Sequence, residues 1–591
     1  MSGSMIHRVR EQFPVVIERD LPMTTRDGIT LYADIARPDV PGRFPVLVSR
    51  TPYGKQLAVQ NPNGSNQYFA RHGYVTVMQD CRGRFASEGE YDPIFQEVAD
   101  GYDAIEWAAR LPWSNGRVGA CGQSYMGLTQ YAIACSDPMP PSLQAMAPLS
   151  ASSDFHESWV YHSGGASMWG WFIAYAIFKG RNTLERAGRA DLLARMDEYI
   201  EPGTNFSQPL RDEWFRHRPI SDWIELLKET APYLADHIHR AEDRNYWERA
   251  SVPAHAGTVT VPMLHISSWY DIFAEGAINA FTAVSQKSRY PAARQGQRLI
   301  MGPWAHLLPY SVPNAAGTGE IDFGPEALVD FHETQLRWFD YHLKDIDSGI
   351  MSEPPVMVFL MGENRWKSLD TWPPADAHEV RYFLHSAGHA NRATGDGTLS
   401  TIPPGEEPDD TFVYDPENPV PTLGGQNLSI PLGVQDQRPV QQRDDVLVFR
   451  SDPLDRPLEV LGRVTVHLWA TTTASDTDFT AKLLDIHPDG YAQNLLDGIV
   501  RARYRRSLWD PEMVEPGEPC EYTIDLWNTG NVFLPGHCIG LEISSSNFPR
   551  FDANPNTGAP FGDNAHTLTA QQIVHHGQGQ ESYVVLPVVP R

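Results

Sequence analysis

Gly119-Ala120-Cys121-Gly122-Gln123-Ser124-Tyr125-Met126-Gly127 joins a short apolar run at 117–121 to a stretch at 124–135 with the length and composition of a helix. A serine hydroxyl is a weak nucleophile until a base takes its proton. To meet a substrate it must project from a tight strand-to-helix turn, and small residues around it let strand and helix approach closely. Gly122 stands two residues before Ser124, and the helix start puts the Tyr125 N–H where it can donate to an oxyanion. The usual turn of this kind has glycine two residues after the serine. Here Met126 occupies that position and Gly127 follows one later. A lone Gly-x-Ser would read equally well as a serine capping a helix; strand, helix and both glycines together point to a nucleophile.

Outward from this turn the pattern repeats. Residues 29–36 alternate apolar and polar as a half-buried strand does. The runs 45–50 and 74–80 are solidly apolar and short, the signature of strands buried on both faces in parallel sheets. Residues 94–110 carry Ile94, Val98, Tyr102, Ile105 and Ala109 on one helical stripe. Strand-like runs recur at 143–149, 261–267 and 297–302, and a helix is predicted from Pro325 to Leu343 with proline in its first turn. Alternating strands and helices imply an α/β fold, a mostly parallel sheet covered on both faces.

A serine nucleophile needs partners in the chain order Ser, Asp/Glu, His, each on a loop after a later strand. The run 261–271 ends at Asp271 and the run 299–306 ends at His306. His306 would act as general base and then acid, and Asp271 would fix its tautomer and stabilise the imidazolium. His332, His342 and Asp322 are nearby alternatives, in or beside the following helix rather than at strand ends.

Residues 154–250 interrupt the alternation and hold six of the 16 tryptophans. They read as a helical insertion whose aromatic residues either line a substrate pocket or form the core of a small subdomain. Beyond 350 the helical signal fades. Strand-like runs at 355–361, 446–450, 464–470 and 538–545 lie between loops rich in Pro, Gly and Asp, as in a β-sandwich of jelly-roll type. The organisation expected is a hydrolase-like core at 1–153 and 251–350, a helical cap at 154–250 and a β domain at 351–591.

With 47 Lys and Arg against 74 Asp and Glu, the 591-residue chain has a net charge of −27. That argues against nucleic acid, whose phosphates are bound by basic side chains, and against anionic membranes. Five scattered cysteines form neither a disulfide framework nor a zinc ribbon. No apolar run approaches the roughly 20 residues of a membrane span, and the first residues lack the apolar segment of a signal peptide. A cytoplasmic protein is expected, and a homo-oligomer is compatible with the sequence. No metal or other cofactor is expected: HExxH is absent, and the pairs His237/His239 and His575/His576 read as surface or loop histidines without surrounding ligands.

The combination of GQSYMG at 122–127, WYD followed by Phe at 269–273 and GPWAH at 302–306 resembles the bacterial cocaine esterase group. That group belongs to the X-prolyl dipeptidyl-peptidase and α-amino acid ester hydrolase superfamily. The resemblance extends through MTTRDGITLYADIARP (23–38), TPYGK (51–55), QDCRGRFASEGEY (79–91), DTDFTAKLLDIHPDG (476–490) and NVFLPGHCIGLEISSSNFPRFD (531–552). It implies an α/β-hydrolase core with an inserted helical cap and a C-terminal jelly-roll-like β domain. It also implies the triad Ser124, Asp271 and His306, with the Tyr53 hydroxyl as second oxyanion donor beside the Tyr125 N–H. A phenol near its ordinary pKa stays protonated at neutral pH and can donate.

Relatives acting on α-amino acid esters place carboxylates shortly after the catalytic Asp to hold an ammonium. Here those positions are Ile272, Phe273 and Ala274, with Glu275 the first acid. An apolar wall suits a benzoyl or alkyl acyl group, which gains about 25 cal/mol per Å² buried. Phe273, Trp159 and Trp171 are the candidate substrate contacts. The expected function is therefore a serine carboxylesterase acting on a small-molecule ester with an apolar or aromatic acyl group. The alternatives are an amide-cleaving relative, or a ligand-binding protein with a vestigial hydrolase part.

Overall fold

The structure is a computed structural model and describes residues 12–60, 65–197, 213–306, 308 and 317–591. The residues at 1–11, read above for a signal segment, and the part of the expected insertion at 198–212 lie outside the described residues.

The N-terminal half is built on a ten-stranded sheet. Its first eight strands are β1 (Val15–Thr24), β2 (Thr30–Pro38), β3 (Phe44–Thr51), β4 (Val75–Asp80), β5 (Ser114–Gln123), β6 (Leu143–Leu149), β7 (Leu264–Tyr270) and β8 (Arg298–Ala305). Across the sheet they run β1-β2-β4-β3-β5-β6-β7-β8. From β4 to β8 every pairing is parallel, while β1 and β2 add antiparallel at one edge. Every residue of β4, β7 and β8 is buried, as strands covered on both faces must be. The helices α1 (Lys55–Gln60), α2 (Ser65–Arg71), α3 (Gln96–Ala109) and α4 (Tyr125–Ala134) connect them.

Two expectations are corrected. The run at 355–361, assigned to the β domain, forms the strand Val356–Leu360, which pairs in parallel with β8. With Arg365–Leu369 it completes the first sheet. Its apolar side chains are buried on that sheet while its end, Met361, bridges to Asn531 of the C-terminal half. The helix expected from Pro325 also starts later. Pro325–Ala327 is an isolated 3₁₀ turn, and the α-helix runs Phe331–Lys344 because the Asp330 side chain caps it by accepting the Glu333 N–H.

Between β6 and β7 the chain is helical: α5 (Trp169–Arg186), then Ala190–Asp197, Asp222–Leu226, Leu234–His239 and Arg244–Glu248. Its aromatic side chains join the same buried cluster as α4 and the core strands. The C-terminal half is β-rich, an eleven-stranded, almost wholly antiparallel sheet in which the long strands Leu458–Thr472 and Cys520–Phe533 pair along most of their length.

The β-rich half braces the segment that carries Asp271. From that half the Asn494 carbonyl accepts the Tyr270 hydroxyl at 2.8 Å and Gln426 donates to Trp269 O at 2.9 Å, while within the first sheet Trp269 donates to Phe359 O at 2.8 Å.

Candidate active site

Ser124 sits between the last residue of β5 and the first of α4, with φ 61° and ψ −128°. This left-handed conformation is strained for a side chain with a Cβ, and such strain concentrates at functional turns. The two flanking glycines explain how it is held. A Cβ on Gly122 would lie 2.5 Å from the Met126 Cβ, and one on Gly127 would lie 2.8 Å from Leu149 O of β6. Gly127 thus permits the close approach of helix and sheet. Met126, where the usual turn has glycine, packs outward against Ala36, Val59, Ala70 and Met78.

His306, just past β8, places Nε2 2.9 Å from Ser124 Oγ and Nδ1 3.0 Å from Asp271 Oδ1. Asp271 is fully buried just past β7. It accepts the Phe273 N–H at 2.9 Å on Oδ1 and the Ser267 hydroxyl at 3.4 Å on Oδ2. A carboxylate so tethered cannot turn away from the imidazole, and the bond it takes at Nδ1 leaves Nε2 free to accept a proton from serine. Gln123 donates to the His306 carbonyl at 2.6 Å and fixes the backbone of that loop.

Tyr53, after β3, brings its hydroxyl beside the Ser124 side chain and the Tyr125 N–H. Burial pushes this phenol up to about 12, against the opposing effect of those two polar neighbours. The group therefore stays protonated and able to donate across the whole neutral and mildly basic range. The Tyr125 ring is buried and donates its own hydroxyl to Glu97 at 3.1 Å, so only its backbone N–H faces the serine.

The three predicted substrate contacts meet beside His306. Phe273 lies edge-on to the His306 ring at 5.4 Å, parallel to Trp159 at 5.2 Å and edge-on to Trp171 at 5.5 Å. All three are buried. Glu275, the first acid after Asp271, does not join them: it accepts from Arg463 at 2.6 Å and from Asn528 at 2.8 Å in the β-rich half. The sequence reading missed Tyr175, which packs 5.0 Å from Trp159 and lies parallel to Tyr125. Its position four residues after Trp171 on one helix was the available signal.

The alternative triad members are occupied elsewhere. His332 stacks on Tyr68, His342 packs on Trp338, and Asp322 caps the Gly324 N–H. Two histidine expectations need correction. His237 is completely buried among Tyr233, Trp247 and Phe172, and burial pushes its pKa down to about 3. His575 and His576 are not bare: His575 faces Asp409 at 3.0 Å, and buried His576 faces Asp410 at 3.1 Å and Glu407 at 3.3 Å. Both environments arise from contacts distant in sequence. Among the described residues one group has the spacing of metal ligands, Asp485, His487 and His537. It lies in the β-rich half, where the 2.7 Å bond to Asp485 raises the His537 pKa.

Comparison with known proteins places the chain in a family. Residues 27–308 match the X-Pro dipeptidyl-peptidase (S15 family) model, and residues 348–585 match the X-Pro dipeptidyl-peptidase C-terminal non-catalytic domain. The chain is 37% identical to the cocaine esterase of Rhodococcus sp. (strain MB1 Bresler), over 96% of this chain and 97% of that protein. Its fold is shared with a selenomethionine-labelled α-amino acid ester hydrolase (TM-score 0.80, 24% identity, 99% of this chain and 100% of that one). It is shared too with an aminopeptidase from a marine sediment Thaumarchaeota archaeon (TM-score 0.79, 24% identity, 100% of this chain and 99% of that one).

Proposed function

The chain belongs to the X-Pro dipeptidyl-peptidase S15 family, among its cocaine esterase-like serine hydrolases, and on that premise we propose that it hydrolyses carboxylic esters with an apolar or aromatic acyl group. In this reading Ser124 attacks the ester carbonyl while His306 Nε2 takes its proton. The Tyr53 hydroxyl and the Tyr125 N–H stabilise the oxyanion, and His306 returns the proton to the departing alcohol. Water then attacks the acyl-enzyme by the same route and releases the acid.

The observation that carries the acyl preference is the aromatic enclosure of Phe273, Trp159 and Trp171 against His306, with Glu275 neutralised outside it. Among the described residues, an ammonium would meet aromatic rings rather than a carboxylate in this enclosure. The 37% identity to a cocaine esterase supports ester rather than amide cleavage. Paired benzoyl esters and benzoyl amides test this. Turnover of the ester with the amide inert is expected, and comparable turnover of both would overturn the preference.

We read the chain as a core at 1–153 and 251–350, extended at its sheet edge by the strands Val356–Leu360 and Arg365–Leu369, with a cap at 154–250, and the remaining β-rich part as a jelly-roll-like sandwich. A cytoplasmic site of action fits the five cysteines, which are unpaired and would stay reduced there.

A further inference from the structure

Helix α5 presents Trp171, Tyr175 and Lys179 one turn apart on one face. That face runs along the candidate active site. Trp171 packs edge-on to Phe273 at the acyl wall, Tyr175 packs on Trp159, and the Lys179 Nζ lies 3.6 Å from the centroid of the Tyr53 ring. Lys179 is only 3% exposed, yet among the described residues its ammonium has neither a hydrogen bond nor an ion pair. Its other neighbours are the rings of Phe178, at 4.2 Å, and Tyr175, at 5.5 Å.

A buried lysine is ordinarily paired, because an unpaired buried charge is costly. The surroundings sharpen the anomaly. Arg84, equally buried, donates to the main-chain carbonyls of Lys179 (2.9 Å) and Pro52 (3.3 Å) and to the Thr183 hydroxyl (3.3 Å), with no carboxylate partner among the described residues. Arg186 donates to the carbonyls of Phe85 and Ser87. Asp80, the carboxylate in this neighbourhood, is already engaged by Lys55 and the Ala86 N–H. On the same face of α5, the buried indole N–H of Trp171 also has no acceptor. Burial and the Arg84 guanidinium push the Lys179 pKa well below the lysine range. In a chain of net charge −27, this wall of the site gathers Arg84, Lys179 and Arg186 with no carboxylate bound to any of them among the described residues.

We propose that Lys179 is the partner of a carboxylate on the substrate, so that esters bearing a carboxylate are the preferred class. The inference rests on the esterase reading and refines it: the aromatic wall takes the apolar body, and Lys179 takes the anionic group. That group could belong to the acyl part or to the alcohol part, and the two are separable.

The test measures kcat/KM for two pairs of esters. On the acyl side, mono-p-nitrophenyl glutarate is compared with its methyl ester. On the alcohol side, 3-(benzoyloxy)propanoate is compared with its methyl ester. The carboxylate form is expected to exceed its neutral partner by about tenfold in at least one pair, the order of a single charge–charge contact. In Lys179→Met that ratio should fall to about one or below, and Lys179→Arg should restore part of it. A ratio of one or less in both pairs for the wild type overturns the proposal, as does a ratio that Lys179→Met leaves intact. Each ratio is taken within one protein preparation, so partial misfolding cancels, and Lys179→Gln repeats the test if the Met variant fails to fold. Wild-type turnover of the neutral esters without a carboxylate preference removes this inference alone. No turnover of any of the four removes the esterase reading itself.

Discussion

The ring of Phe273 lies 6° from parallel with that of Trp159, at 5.2 Å between centroids, while its edge meets the His306 imidazole. In the proposed mechanism Phe273 therefore joins the acyl wall to the general base, two residues beyond the carboxylate that would orient that base. Phe273→Ala should lower the preference for benzoyl over acetyl p-nitrophenyl esters by about 1–3 kcal/mol in kcat/KM. Using the ratio within one variant separates this loss from the stability cost of the cavity. An unchanged ratio would remove Phe273 from the acyl site.

Tyr53→Phe deletes one oxyanion donor and keeps the ring. The expected loss is about 10²–10³ in kcat, with little change in KM, as for other single donors to an oxyanion. Because the phenol is pushed up to about 12, the wild-type rate should show no fall between pH 8 and 10 caused by this group. A variant with full kcat would exclude it from the mechanism.

Glu157 gives a pH-dependent prediction. Burial first, then Asp154, Asp525 and Glu275, push its pKa up to about 8, against the pull of Arg463. An acid with a raised folded-state pKa binds its proton more tightly when folded. Its contribution is complete below the unfolded value of about 4.5 and is lost as pH rises through about 8. Glu157→Gln should therefore melt at a higher temperature than wild type at pH 8, with the difference vanishing near pH 4.5. Thermal unfolding at the two pH values checks this, and equal Tm differences at both would contradict it.

Arg463 links the turn after Asp271 to the β-rich half, through Glu275 at 2.6 Å and through Asp525. Arg463→Met strands the fully buried Glu275 carboxylate. Breaking a wholly buried pair costs about 3–5 kcal/mol; because Arg463 is itself 39% exposed, a smaller loss is expected. Calorimetry should show a lowered Tm, and kcat should fall with it if the tether positions Asp271. A lowered Tm with kcat intact would limit Arg463 to stability.

Much of this was legible in the sequence because it is local. Each of Ser124, Asp271 and His306 follows directly on a short apolar run, and strand ends of a parallel sheet gather at one edge. The glycine displaced to 127 is local too, and its reason is the contact with Leu149 O. What escaped depends on residues far apart in the chain. Only the folded sheet shows that Val356–Leu360 joins β8 rather than the β-rich half, or that His576 meets Asp410 across 166 positions. Lys179 lay on a readable helical face, but its lack of a counter-charge is a property of everything packed around it.

In the proposed mechanism Ser124 carries the acyl group. Incubation with a fluorophosphonate, followed by intact mass and peptide mapping, measures it directly. One adduct per chain is predicted, on the peptide containing Ser124, abolished in Ser124→Ala together with ester turnover. An adduct elsewhere, or turnover that survives in Ser124→Ala, would contradict the account.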